Sequence, residues 1–137
     1  MGSYEILPHT ADVRLKVRGE TLEELFKQAV LGMNQILSAG WQSKVKNQKS
    51  KAKIKVKSVD ITSLLIDFLN EILAKSQANK SIYSVLSLKI RDSSLESEIY
   101  GFPVSYFTED IKAVTYHEAE IKKNEQGNFE TIIIFDI

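Results

Sequence analysis

Few side chains in this sequence could do chemistry, and most of those that could lie near its two ends. The first cluster is Pro8-His9-Thr10-Ala11-Asp12, which sets an imidazole, a hydroxyl and a carboxylate just before an alternating stretch. Residues of these types beside a strand also serve as turn formers bonded to backbone N–H groups. The second cluster is the C-terminal end, where Asp136 follows Ile132-Ile133-Ile134-Phe135 and Ile137 carries a free carboxylate. An ending inside a strand is unusual, because terminal residues tend to fray. If that strand docks, the two carboxylates stand close and repel unless a cation or a basic group lies between them. Asp12 would complete an oxygen-rich pocket suited to calcium or magnesium, whereas His9 or His117 as direct ligands would admit zinc or manganese. Spacing alone does not join these positions.

Other chemistries find less support. Zero cysteines exclude a disulfide framework, a thiolate zinc site and a cysteine nucleophile. Ser63 and Ser105 could be set against the two histidines as nucleophile and base. However, the sequence has no Gly-x-Ser-x-Gly elbow, paired His-x-x-x-His or phosphate-cradling glycine loop. Tyr83, Tyr100, Tyr106, Tyr116 and Trp41 are scattered without the basic interleaving of an RNA-stacking platform, and are expected to pack.

The formal net charge of +0 gives no global field toward nucleic acid or anionic lipid. The basic residues are nevertheless uneven, with Lys44, Lys46, Lys49, Lys51, Lys53, Lys55 and Lys57 in one short stretch. Alternation of Lys51 to Lys57 with Ala52, Ile54 and Val56 is the pattern of a half-exposed strand, and lysines protect a sheet edge against unwanted pairing. The same stretch could also form a local basic face toward RNA or an acidic protein surface. The 137 residues suit one domain, 1–137. No apolar run reaches the roughly 20 residues that span a bilayer. Met1 to Leu7 lacks the basic start and apolar stretch of an export signal, so a cytoplasmic location is expected.

The elements that must position these groups follow from periodicity. Val13 to Arg18 alternates and stops at Gly19, which reads as a strand. Thr21 and Glu24 have capping-box spacing, so a helix starts there and carries Leu22, Leu25, Phe26, Ala29, Val30, Met33, Ile36 and Leu37 to about Gly40. Asp60 caps a second helix with Ile61, Leu64, Leu65, Phe68, Leu69, Ile72 and Leu73 inward, ending before Asn79. Leu86, Leu88 and Ile90, then Leu95 and Ile99, predict a hairpin turning at Asp92-Ser93-Ser94 and stopping at Gly101-Phe102-Pro103. A strand is expected over 111–122 with Ile111, Ala113, Thr115, His117, Ala119 and Ile121 on one face. After a turn at 124–128 comes a last strand, 129–137, whose isoleucines suit cover on both faces. The fold class is α+β: one domain of mainly antiparallel sheet with two amphipathic helices.

In four separated places this sequence resembles the archeases. These are Tyr4-Glu5-Ile6-Leu7-Pro8-His9-Thr10-Ala11-Asp12 with the strand and helix start after it, the leucine-rich helix Asp60 to Leu73, Ala113-Val114-Thr115-Tyr116-His117, and the ending Phe135-Asp136-Ile137. The resemblance implies an accessory protein, itself no enzyme, that helps a GTP-dependent RtcB-type RNA ligase become guanylylated and turn over in tRNA splicing or RNA repair. It also implies a divalent-metal site, usually described with calcium, on Asp12, Asp136 and Ile137. His9, Thr10 and His117 then belong to the surrounding polar surface or to the layer behind the ligands. RNA contact is expected to be indirect or weak, with neither DNA nor membrane as partner. An RNA-binding chaperone module is the alternative, followed by a metal-dependent phosphoester hydrolase. The sequence departs from the family pattern at Phe68, where tryptophan is expected. Ile61-Thr62 and Phe102-Pro103 likewise replace more acidic residues, which argues against an acidic contact surface at those two segments.

Overall fold

Alternation in the first predicted strand is realised as β2 (Asp12–Gly19), with Val13, Leu15 and Val17 in the core and Arg14, Lys16 and Arg18 on the other face. The computed structural model describes residues 2–7, 12–44 and 50–137. In it β2 pairs antiparallel with β1 (Ser3–Leu7) on one side and with β8 (Phe129–Asp136) on the other. Along its far edge β8 pairs with two short strands, β6 (Ala113–Thr115) and β7 (Lys122–Lys123), completing a five-stranded sheet. A second, three-stranded sheet has the order β3-β5-β4, with β3 at Ser50–Lys57, β4 at Ser81–Arg91 and β5 at Ser94–Pro103. Among the described residues all the pairings are antiparallel, and with three helices the class is α+β.

Helix α1 (Leu22–Leu37) starts where the Thr21 hydroxyl accepts from the Glu24 amide at 3.1 Å, leaving one fewer unpaired donor in the first turn. The expected reciprocal half of the box is used otherwise. Glu24 Oε1 accepts from the Gly2 amide at 2.7 Å, tying the start of β1 to the helix. Helix α3 (Ile61–Asn79) is capped by Asp60, whose carboxylate accepts from the Ser63 amide at 2.7 Å, and closes on Lys80 in the left-handed region at φ 47°. That amide and the Ser63 hydroxyl hold the Asp60 carboxyl below its ordinary 3.8. Between α1 and β3 the chain adds one helical turn not expected from sequence, α2 (Trp41–Lys44), which places Trp41 against Phe102 at a ring separation of 6.4 Å.

Between the helices and the two sheets the apolar stripes meet. Phe68, fully buried, stacks on Phe26 at 6.1 Å, so the smaller aromatic still fills its place in the core. Each such side chain stabilises by about 1.5–3 kcal/mol relative to an exposed one. On β8 the core face carries Ile133 and Phe135, while Ile134 on the opposite face is also buried, so cover on both sides extends to that residue.

Three sequence expectations change. Strand 111–122 is interrupted, because after Thr115 the chain turns through His117 and Glu118, the latter at φ 61°, before resuming at Lys122. Alternation does not survive there, because the buried residues of the stretch, Ile111 and Val114, fall on opposite faces of the expected pattern. Leu86 does not share a face with Leu88 and Ile90: the register shift between Val85 and Ser87 leaves it 44% exposed. The helices end at Leu37 and Asn79, so α1 stops short of Gly40 and α3 includes Asn79.

Candidate functional site

Asp12 begins β2 and Asp136 ends β8, and the register sets them directly opposite each other. Cross-strand neighbours of this kind have Cβ atoms about 4.5–5.5 Å apart, and like charges so placed repel. Both lie on the face that carries Arg14, Lys16 and Arg18, away from the core. Among the described residues Arg14 supplies a balancing charge. Its Nε stands 3.9 Å from Asp12 Oδ1, while its Nη2 holds Glu118 Oε2 at 3.0 Å. Sequence reasoning did not single out Arg14 or Glu118. The available signal was the position of Arg14 two residues after Asp12, hence on the same face.

A frayed end could not hold this geometry, and here the end is secured from helix α3. Asn70 clamps Val114 of β6 twice, donating to its carbonyl at 2.9 Å and accepting from its amide at 3.0 Å. Gln77 donates to the Ile111 carbonyl at 2.6 Å. The neighbouring backbone then secures β8: the Lys112 amide donates to the Asp136 carbonyl at 2.7 Å, and Thr115 Oγ1 to the Ile134 carbonyl at 3.1 Å. At the end of β6 the Tyr116 hydroxyl donates to Asp67 Oδ1, and Ser58 Oγ donates to Asp67 Oδ2 at 2.5 Å. The hydrogen bond to Asp67, then burial and the carboxylate's charge, raise the Tyr116 phenol above its ordinary 10.0.

Of the residues singled out in the sequence, the fold brings Asp12 and Asp136 together and places Ile137, half-buried, immediately after them. His117 is exposed in the turn beside Glu118. His9 and Thr10 lie outside the described residues, as do Lys46 and Lys49. Among the described residues no group of three or more His, Asp or Glu side chains is placed to hold a metal. Any third donor to the Asp12–Asp136 pair would therefore come from main-chain oxygen, for which Ile137 is the adjacent source, or from the segment before Asp12. Two facing carboxylates and main-chain oxygen form a hard donor set, which fits calcium or magnesium better than a soft metal. Alongside runs a groove of about 500 Å³ lined by Arg14, Lys16, Glu118, Glu120, Lys122 and Glu130 among others, mixed in sign and open on the same sheet face.

Comparison with known proteins gives a consistent result. The model of the Archease protein family matches residues 4–137. The protein archease of Methanosarcina acetivorans is 33% identical over 144 residues, covering 98% of this chain and 95% of that protein. That of Thermoplasma volcanium is 32% identical over 139 residues, covering 98% and 99%. Among solved structures, protein 1598 of Methanobacterium thermoautotrophicum superposes with a TM-score of 0.78 at 27% identity, covering 98% of each chain. The crystal structure of a Thermotoga maritima archease, described as a possible chaperone, shares the fold with a TM-score of 0.69 at 17% identity, covering 96% and 94%. Among the described residues no helix is long and apolar enough to cross a membrane.

Proposed function

This chain belongs to the archease family, and on that premise we propose that it activates a GTP-dependent RtcB-type RNA ligase in the cytoplasm. It promotes guanylylation of the ligase and its multiple turnover in tRNA splicing or RNA repair. The ligase makes the bond, and this chain supplies a surface. That division of labour is in keeping with the description of the Thermotoga relative as a possible chaperone.

The observation that carries the reading is the in-register juxtaposition of Asp12 with Asp136. Two carboxylates facing each other on an exposed sheet surface are unfavourable for the isolated chain. Their placement makes sense if they bind something positive. Asp12, Asp136 and main-chain oxygen of Ile137 would hold a divalent cation, with calcium the first candidate; when bound, it supplies the charge that offsets their repulsion and braces the two chain ends together. Arg14 restrains Asp12 and reaches across to Glu118, so the turn bearing His117 is held to the same surface. His9, Thr10 and His117 provide polar contacts to the ligase around this point.

The test is RNA ligation with substrate in excess over the cognate ligase. Repeated turnover is expected only when this chain is added. Single-turnover behaviour with and without it would reject the reading.

A further inference from the structure

The outward face of the three-stranded sheet is assembled by register. Lys53 lies opposite Glu98 and, beyond it, Ser87; Lys55 lies opposite Glu96 and Lys89; Lys57 lies opposite Ser94 and Arg91. Directly paired residues share a face. Lys51, Lys53, Lys55 and Lys57 of β3 and Lys89 and Arg91 of β4 therefore all stand on the side away from buried Ile54, Leu95 and Ile99. The acidic residues paired with them on that side are Glu96 and Glu98 of β5. Six cations against two carboxylates leave a clear positive excess on one face of a chain whose net charge is +0, so the remaining surface is acidic in balance.

The two carboxylates are already engaged. Lys51 Nζ lies 3.0 Å from Glu98 and Lys55 Nζ lies 3.4 Å from Glu96. Each member of the first pair is shifted toward its charged form, Lys51 upward by the hydrogen bond to Glu98 and Glu98 downward by the hydrogen bond to Lys51. Among the described residues Lys53, Lys57, Lys89 and Arg91 make no close ion pair, although the Lys53 charge also acts on Glu98 opposite it. Along β3 the lysines recur every second residue, about 6.6–6.8 Å apart, which makes a regular row of point charges. Tyr100 stands opposite Lys51 on the same face, half-buried.

Protection of the sheet edges accounts for a charge or two on each outer strand. It does not call for rows of cations on both outer strands, flanking Glu96 and Glu98, with an aromatic at one end of the face. A protein partner would be expected to find aromatic or aliphatic anchors at the centre of such a surface, and the centre here is Glu96 and Glu98. A row of exposed cations beside an aromatic ring suits a phosphodiester strand, whose backbone supplies the charge and whose bases stack. We propose that this face binds the backbone of single-stranded RNA, with Tyr100 stacking on a base. The choice of RNA rests on the ligase reading above, whereas the phosphate chemistry rests on the sheet face alone.

The experiment uses the full chain without ligase, so its outcome is separate from that of the turnover assay. Fluorescence anisotropy of a short labelled single-stranded RNA is followed as salt is raised from about 50 mM to 200 mM. Each phosphate contact to a single strand contributes about −0.7 to the slope of log K against log salt, so the four cations outside the two close ion pairs predict about −3. Replacing Lys53, Lys57, Lys89 and Arg91 together by alanine should flatten the slope and weaken binding about tenfold or more at the lowest salt. The control replaces Lys27, Lys75, Lys112 and Lys122, for the same change in net charge, and should keep most of the affinity. Tyr100→Leu should weaken binding with the slope unchanged. Circular dichroism melting checks that each variant folds, and Lys53→Gln with Lys57→Gln replaces the quadruple variant if it does not. Equal losses in the two quadruple variants, absence of binding at the lowest salt, or tighter capture of labelled polyglutamate than of RNA would each overturn the proposal.

Discussion

Replacing Asp136 by asparagine should raise the stability of the cation-free protein and lower it, relative to wild type, once a divalent cation is present. Asp136 is exposed, directly opposite Asp12, and forms no ion pair among the described residues, so the substitution removes repulsion at nearly constant volume. At a separation of about 5 Å, two unit charges in a water-like dielectric repel by about 0.8 kcal/mol. Exposure argues for that end of the range. For a chain of this size about 1 kcal/mol moves the melting temperature by roughly 3–5 °C, so the variant should melt about 2–4 °C higher in chelator and low salt. In molar salt the difference should nearly vanish, because the screening length falls to about 3 Å. With calcium at about a hundredfold over its dissociation constant, wild type should gain about 2.7 kcal/mol and overtake the variant. Differential scanning calorimetry in chelator, in sodium chloride and in calcium reads all three conditions. A variant less stable than wild type in chelator, or an equal calcium shift in both proteins, would refute the reasoning.

Other substitutions test how the fold holds the site. Phe68→Ala removes a fully buried ring stacked on Phe26 and should cost about 3–5 kcal/mol, read as a large drop in the urea midpoint. Gly19→Ala would bring a Cβ to 2.4 Å from the Leu25 amide nitrogen, a backbone atom that cannot swing aside. A loss of about 1–3 kcal/mol is expected, and an unchanged melting temperature would show that the strand–helix junction yields. The Asp60 carboxyl, held below its ordinary 3.8 by the Ser63 amide, contributes stability above that value and loses it as pH falls through the lowered one. Melting curves from pH 6 to pH 2.5 should therefore fall less steeply for Asp60→Asn, which still caps the helix without titrating.

Much of the fold was legible because its signals are local. Both long helices begin at the residues whose side chains could cap them, Thr21 and Asp60. The lysine alternation marked an edge strand, and β3 is one. The hairpin turns where Asp92 takes a positive φ of 54°. What was missed depends on partners distant in sequence. Ser3–Leu7 is too short to show a period and becomes a strand because β2 offers it an edge. The Glu24 carboxylate left its capping role for an amide that sequence spacing did not point to. The break at His117 and Glu118 is a backbone event, secured by the ion pair to Arg14, and it leaves no mark in an alternating pattern. Of the candidate site, the two aspartates were visible as residue types, but their meeting required the β2–β8 register. The basic sheet face was half visible, since Lys89 and Arg91 join the β3 lysines only through β5.

The measurement closest to the central claim is covalent guanylylation of the cognate ligase, followed with labelled GTP at limiting amounts of this chain. Wild type should accelerate formation of the ligase–GMP adduct in the presence of a divalent cation, while Asp12→Ala and Asp136→Ala, folded and at equal concentration, should leave the unassisted rate. Acceleration by both variants to the wild-type level would contradict the account.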